Sequence, residues 1–86
     1  MIKIYGSMLC PDCVECRKAL DAVGISYEYM DFAENLWNLK AFLNLRDSEP
    51  VFEAVRQDGK IGIPCILRED GSITFDWSEY VSQTEV

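Results

Sequence analysis

The stretch "YGSMLCPDCVECRKAL", residues 5–20, carries three closely spaced cysteines, Cys10, Cys13 and Cys16. The segment "IKIY", residues 2–5, leads into this stretch and alternates Ile2 and Ile4 with Lys3 and Tyr5, which is typical of a β-strand. A Gly-Ser pair then interrupts the strand. Pro11 suits the first position of a helix, because the N–H group that proline lacks would have no partner there. The stretch therefore predicts a strand that passes into a helix at Cys10.

The rest of the chain predicts short strands and helices that alternate. They are, in chain order, a strand at 25–30, a helix from residue 35 that is interrupted at 46–50, a short helix from residue 50, a strand at 61–67, a strand at 73–75 and a helix at about 76–81.

This order predicts an α/β fold with a four-stranded mixed sheet and helices on both faces. The first two strands should run parallel through a right-handed crossover. The last two should form a hairpin whose Asp70-Gly71 turn supplies positive φ angles. We expect one domain spanning residues 1–86, because a chain of this length holds a single small core.

Composition excludes several classes of function. The net charge of −7 argues against binding to nucleic acid or to an anionic membrane surface, since both need clustered cations. The N-terminal "MIKIYG" is too short an apolar run for a signal peptide, and no window approaches the roughly 20 apolar residues of a membrane span. We therefore expect a cytoplasmic, monomeric protein, in which cysteines serve redox chemistry or metal binding.

Cys10 has the position of a reactive thiol. It lies where a strand ends and a helix begins, and the unpaired N–H groups and helix dipole at that point favour a thiolate. Thiolates are the attacking species in disulfide exchange. Cys13, three residues later, returns beneath Cys10 and can close a disulfide with it. The pair therefore predicts a dithiol in which Cys10 attacks and Cys13 resolves.

The motif "CPDC" after a strand, with "GIP" opening a later strand, resembles a glutaredoxin of the thioredoxin superfamily. The likeness extends over most of the chain and implies a thioredoxin-like fold with Cys10 and Cys13 as catalytic residues. It implies that Pro64 is cis and faces the dithiol, and that the Ile63 backbone pairs with an extended substrate. Pro11, Ile63 and Pro64 are then the substrate-binding residues.

The glutathione-binding pattern of that family is not in register here. Residues 7–9 read "SML" where many glutaredoxins have a basic residue, and Ile63 replaces a threonine. A Gly-Gly pair aligns with Thr74-Phe75, and the nearest acids that could replace the family's aspartate are Asp76 and Glu79. The electron donor therefore stays open between glutathione and a thioredoxin reductase.

The other cysteines have two interpretations. Cys16 and Cys65 are accessory thiols near the dithiol, or they are small apolar residues of the core. With Cys10 and Cys13 they form a set of four, which keeps open a cysteine-ligated metal or iron–sulfur protein as the alternative function. The chain has no histidine.

The sequence as a whole predicts a thiol–disulfide oxidoreductase with no bound cofactor. Its expected partners are disulfide-containing protein substrates and either glutathione or a thioredoxin reductase as the reductant. An exposed Trp37 or Trp77 beside the cysteines could add a docking patch for a partner.

Overall fold

The structure, a computed structural model, describes residues 1–82. Its elements are β1 (Ile2–Gly6), α1 (Pro11–Ala22), β2 (Tyr27–Asp31), α2 (Leu36–Ser48), a 3₁₀ turn (Pro50–Phe52), α3 (Glu53–Gln57), β3 (Cys65–Leu67), β4 (Ile73–Thr74) and α4 (Ser78–Ser82). None of the helices in this described part is long and apolar enough to cross a membrane.

The four strands form one mixed sheet in the order β2-β1-β3-β4. Strand β1 is parallel to β2 and antiparallel to β3, and β3 forms a hairpin with β4. The predicted α/β class and four-stranded mixed sheet are thereby confirmed. Because β1 is central, the helix that follows it begins in the middle of the sheet edge, next to the segment that leads into β3.

Each face of the sheet has its own apolar core. On one face, Ile4 and Ile66 pack with Leu20 of α1. On the other, Phe42 of α2 meets Phe52 edge-on, with ring centroids 5.7 Å apart. All five side chains are at most 1% exposed. Burial of each such side chain contributes about 1.5–3 kcal/mol, so the two cores fix the helices against the sheet.

The third strand is shorter than the sequence predicts. Residues 61–67 were expected to be extended in the sheet, but pairing begins only at Cys65. Proline cannot donate a ladder hydrogen bond, so Pro64 lies just before the strand and not within it. The Ile63–Pro64 peptide bond is cis, and Gly62 has a φ of 94°. Residues 61–64 are consequently an irregular loop that leads into the sheet.

The predictions for the hairpin turn and for the start of the last helix were wrong in detail, because an aspartate carboxylate accepts a nearby backbone hydrogen bond at each place. In the hairpin turn only Gly71 has a positive φ, and the carboxylate of Asp70 accepts a hydrogen bond from the Ser72 N–H at 2.9 Å. The last helix starts at Ser78 and not at Asp76, because the Asp76 carboxylate accepts from the Ser78 N–H at 3.0 Å. Aspartate commonly organises turns and helix starts in this way.

Candidate active site

Cys10 occupies the N-cap position of α1, directly before the first helical residue. Its backbone is extended, with φ −93° and ψ 118°, and its carbonyl oxygen accepts the first hydrogen bond of the helix from the Val14 N–H at 3.2 Å. The Cys10 N–H donates to the Ser7 carbonyl oxygen at 3.0 Å, which closes the turn between β1 and α1. Cys10 is partly exposed. It can therefore meet a substrate while lying at the positive end of the helix dipole.

Cys13 lies beneath Cys10 and has no exposed surface. Burial, together with the neighbouring Cys10 thiol, raises the pKa of the Cys13 thiol to about 11. Interaction with the Ser7 backbone and with the Tyr29 hydroxyl lowers the pKa of Cys13 and so offsets part of this rise. Both cysteines are free thiols. The site thus pairs one accessible sulfur with one enclosed sulfur, as an attacking and a resolving cysteine require.

A groove of about 540 Å³ opens beside Cys10. Its walls come from the start of α1, the loop before β3 and the segment after β4. The lining residues are Cys10, Asp12, Val55, Gly59, Lys60, Ile61, Gly62, Ile63, Pro64, Phe75 and Trp77.

The groove brings together three of the residues predicted for the site. Cys10, Ile63 and Pro64 all line it, although they are far apart in the sequence. Pro11 is exposed and does not line it; its place in the structure is the first position of α1. Most of the lining side chains are apolar, and Asp12 and Lys60 contribute one charge of each sign.

The loop that forms one wall is held by Arg46 in the last turn of α2. Its guanidinium donates to the carbonyl oxygens of Lys60 at 2.6 Å and Ile61 at 3.0 Å. Gly62 follows, where a Cβ atom would come within 2.9 Å of the Phe52 ring. The close approach and the positive φ both require glycine at this position. These contacts fix the path of the chain directly before Pro64.

Cys16 and Cys65 do not reach the groove. Cys16 packs with the core between α1 and the sheet, and Cys65 packs with the core on the opposite face. Both side chains are fully buried, and burial raises the pKa of each thiol to about 12. Within residues 1–82, no three His, Cys, Asp or Glu side chains converge as metal ligands. The sheet therefore separates the accessory thiols from each other.

The two acids considered for glutathione binding are also elsewhere. Asp76 holds the start of α4, and hydrogen bonds from Ser78 lower the pKa of its carboxyl. Glu79 forms an ion pair with Arg68 at 2.8 Å, which lowers the pKa of Glu79. Neither side chain lines the groove.

The sequence did not predict that Tyr29 lies beside the dithiol, and it did not distinguish Trp77 from Trp37 as the tryptophan near the cysteines. Tyr29 of β2 lies next to Cys13; its alternation with Tyr27 indicated the strand but not which helix residue it would face. Trp77 lines the groove, whereas Trp37 is 71% exposed and is not part of the groove lining. Pairing Tyr29 with Ile4 across the parallel strands would have placed it against α1.

The fold and the site define a small α/β protein with a dithiol at the start of a helix. The chain is 36% identical over 76 residues to an uncharacterized protein of Haemophilus influenzae, and the match covers 88% of each protein. It therefore belongs to the same family as that protein. No protein-family model matches the chain, and no solved structure matches it.

Proposed function

We propose that this protein is a thiol–disulfide oxidoreductase of the glutaredoxin type on a thioredoxin-like fold. The observation that carries the proposal is the position of Cys10, which caps α1 and shares a groove with Pro64, while Cys13 is enclosed beneath it. A helix N-terminus stabilises an anionic sulfur, and partial exposure gives that sulfur access to substrates.

The reaction proceeds in two exchanges. The Cys10 thiolate attacks one sulfur of a substrate disulfide, and the other sulfur leaves with the bonding electron pair and takes a proton from solvent. The Cys13 sulfur, as a thiolate, then attacks the Cys10 sulfur of the mixed disulfide and releases the second substrate thiolate. The substrate gains two electrons, and the protein is left with a Cys10–Cys13 disulfide that an external reductant must reduce.

The groove favours a polypeptide substrate over a small anion. Its apolar lining suits side chains on either side of a cysteine, and among the described residues that line it only Lys60 is basic. Glutathione carries two carboxylates, which a cluster of cations would bind better. We therefore propose disulfide-containing proteins of the cytoplasm as substrates, acted on by a monomer that needs no bound cofactor. Glutathione and a thioredoxin reductase are the two reductants to be compared.

A reductant comparison tests the proposal. The protein is mixed with NADPH and a common protein disulfide, together with either glutathione and glutathione reductase or a thioredoxin reductase, and NADPH oxidation is followed. We expect turnover with at least one system, loss of turnover in Cys10→Ser, and retention in Cys16→Ala, which removes a buried thiol that does not line the groove. Absence of turnover with both systems, or full activity of Cys10→Ser, would refute the function.

A further inference from the structure

The hydroxyl of Tyr29 is a buried polar group without a hydrogen-bond partner among the described residues that satisfies ordinary geometry. A buried hydroxyl in that condition costs free energy, because it has lost its bonds to water. Such a group is uncommon in a folded protein and needs an explanation. Its surroundings provide one, because the hydroxyl lies beside the sulfur of Cys13.

Gly6 shows how close the two groups are. A Cβ atom at Gly6 would lie 2.7 Å from the Cys13 sulfur and 3.0 Å from the Tyr29 hydroxyl oxygen. Sulfur and hydroxyl thus border the same small space at the end of β1, which is open only because residue 6 has no side chain. The hydroxyl is positioned to interact with the Cys13 sulfur, and no other group within residues 1–82 accepts or donates a hydrogen bond there.

Arg17 holds the ring of Tyr29 in place. Its guanidinium lies over the ring, 4.2 Å from the ring centroid, and its Nε donates to the Tyr27 hydroxyl at 3.1 Å. Other titratable groups act on the pair: the Cys10 thiol raises the pKa of Cys13, while Asp31 of β2 raises and Arg17 lowers the pKa of Tyr29. Cys16 of α1 lies near Cys13, which raises the pKa of Cys16. Burial, followed by the proximity of Cys13, raises the pKa of Tyr29 above its usual range. The hydroxyl therefore keeps its proton and acts as a donor.

We propose that the Tyr29 hydroxyl donates a hydrogen bond to the Cys13 sulfur when that sulfur becomes a thiolate, and so promotes the resolving step. This deepens the proposed function and depends on it for the identity of the step. Cys13 gives its proton to solvent, its sulfur bonds to the Cys10 sulfur, and the bond between Cys10 and the substrate breaks with its electrons on the departing thiolate. Tyr29 keeps its own proton throughout. A thiolate enclosed in a low-dielectric site gains most from such a donor.

A chromogenic aromatic disulfide separates the two steps in a single turnover. Attack by Cys10 releases one coloured thiolate, and resolution by Cys13 releases the second. In Tyr29→Phe we expect the first phase to be unchanged and the second to be slowed about tenfold, as loss of one hydrogen bond to a charged group predicts. The pH at which Cys13 is alkylated in a Cys10→Ser background, read by mass spectrometry, should rise by about one unit.

Tyr5→Phe is the matched control, because Tyr5 belongs to the core on the opposite face of the sheet and its titratable neighbours are Cys65 and Glu28, not Cys13 or Arg17. Its second phase should equal that of the wild type. Tyr29→Phe should fold at least as stably as the wild type, because it removes an unpaired buried hydroxyl, and circular dichroism verifies this. The inference is overturned if both variants slow the second phase equally, or if Tyr29→Phe leaves it unchanged. Failure of the proposed function would give a different result: the wild type would react with the aromatic disulfide but would show no NADPH oxidation with either reductant.

Discussion

Adding one methyl group at Gly6 should reveal how tightly the dithiol is packed against the sheet. The new Cβ atom of Gly6→Ala would lie 2.7 Å from the Cys13 sulfur, which is closer than side-chain atoms approach in folded proteins. The Cβ of Cys13 itself would be 3.5 Å away, an ordinary contact. The clash is therefore with the sulfur, and the Tyr29 hydroxyl at 3.0 Å adds a smaller one.

The expected cost is that of overpacking a closed core. Insertion of a methyl group into a well-packed site costs about 1–3 kcal/mol. For a domain of this size, 1 kcal/mol corresponds to a change of about 5 °C in Tm. Gly6→Ala should thus lower the Tm by roughly 5–15 °C. If Cys13→Ala removes the sulfur first, most of this cost should vanish, so the two substitutions should be coupled by about 1 kcal/mol or more.

Urea denaturation of the four proteins in this cycle gives the coupling free energy, provided that the slope with denaturant is unchanged. Gly24→Ala is the control, because a Cβ at Gly24 meets nothing within 4 Å and its cost arises from a φ of 75° alone. That cost should be the same with and without the Cys13 sulfur. A Gly6→Ala penalty that is equally insensitive to Cys13→Ala would show that the sulfur does not lie where the structure places it.

Two further predictions concern the groove wall and the buried thiols. Arg46→Ala should increase hydrogen–deuterium exchange across residues 60–64 and lower stability by about 1 kcal/mol, since two charge-assisted hydrogen bonds are lost; unchanged exchange would contradict this anchoring role. Burial raises the pKa values of Cys13, Cys16 and Cys65 to about 11, 12 and 12 in the folded protein. Above about pH 9 these thiols therefore lose their protons when the chain unfolds. The free energy of unfolding consequently falls as the pH rises toward the folded-state pKa values. Cys16→Ala should reduce the steepness of that fall by about 1.4 kcal/mol per pH unit in chemical denaturation, and an unaltered slope would show that this thiol is not buried.

The sequence predicts well those elements whose local pattern and tertiary environment agree. Apolar alternation placed β1, and Pro11 placed the start of α1, because proline fits only at the first helical position. Asn35 likewise marks the start of α2, where its side chain accepts a hydrogen bond from the Trp37 N–H at 2.9 Å. In each case neighbouring residues determine the local backbone without a contribution from distant parts of the chain.

Predictions failed where a tertiary contact decides the outcome. The apolar run 61–67 has the composition of a strand, but only its last part finds partners in the sheet, because Arg46 and the Phe52 ring hold the earlier part as a loop. Cys65 follows Pro64 directly, yet it turns to the opposite face of the sheet from Cys16. Local spacing cannot reveal the face, since a shift of one residue in register reverses it.

The residues that line the groove are widely separated along the chain. The lining begins at Cys10 and Asp12 and ends at Phe75 and Trp77, which follow β4 near the end of the described residues. The two cysteines of the proposed dithiol are therefore synthesised long before the last residues that line the groove. A fragment that ends before residue 75 would keep Cys10 and Cys13 but lack Phe75 and Trp77, so under the proposed function it should discriminate less among disulfides than the full chain does.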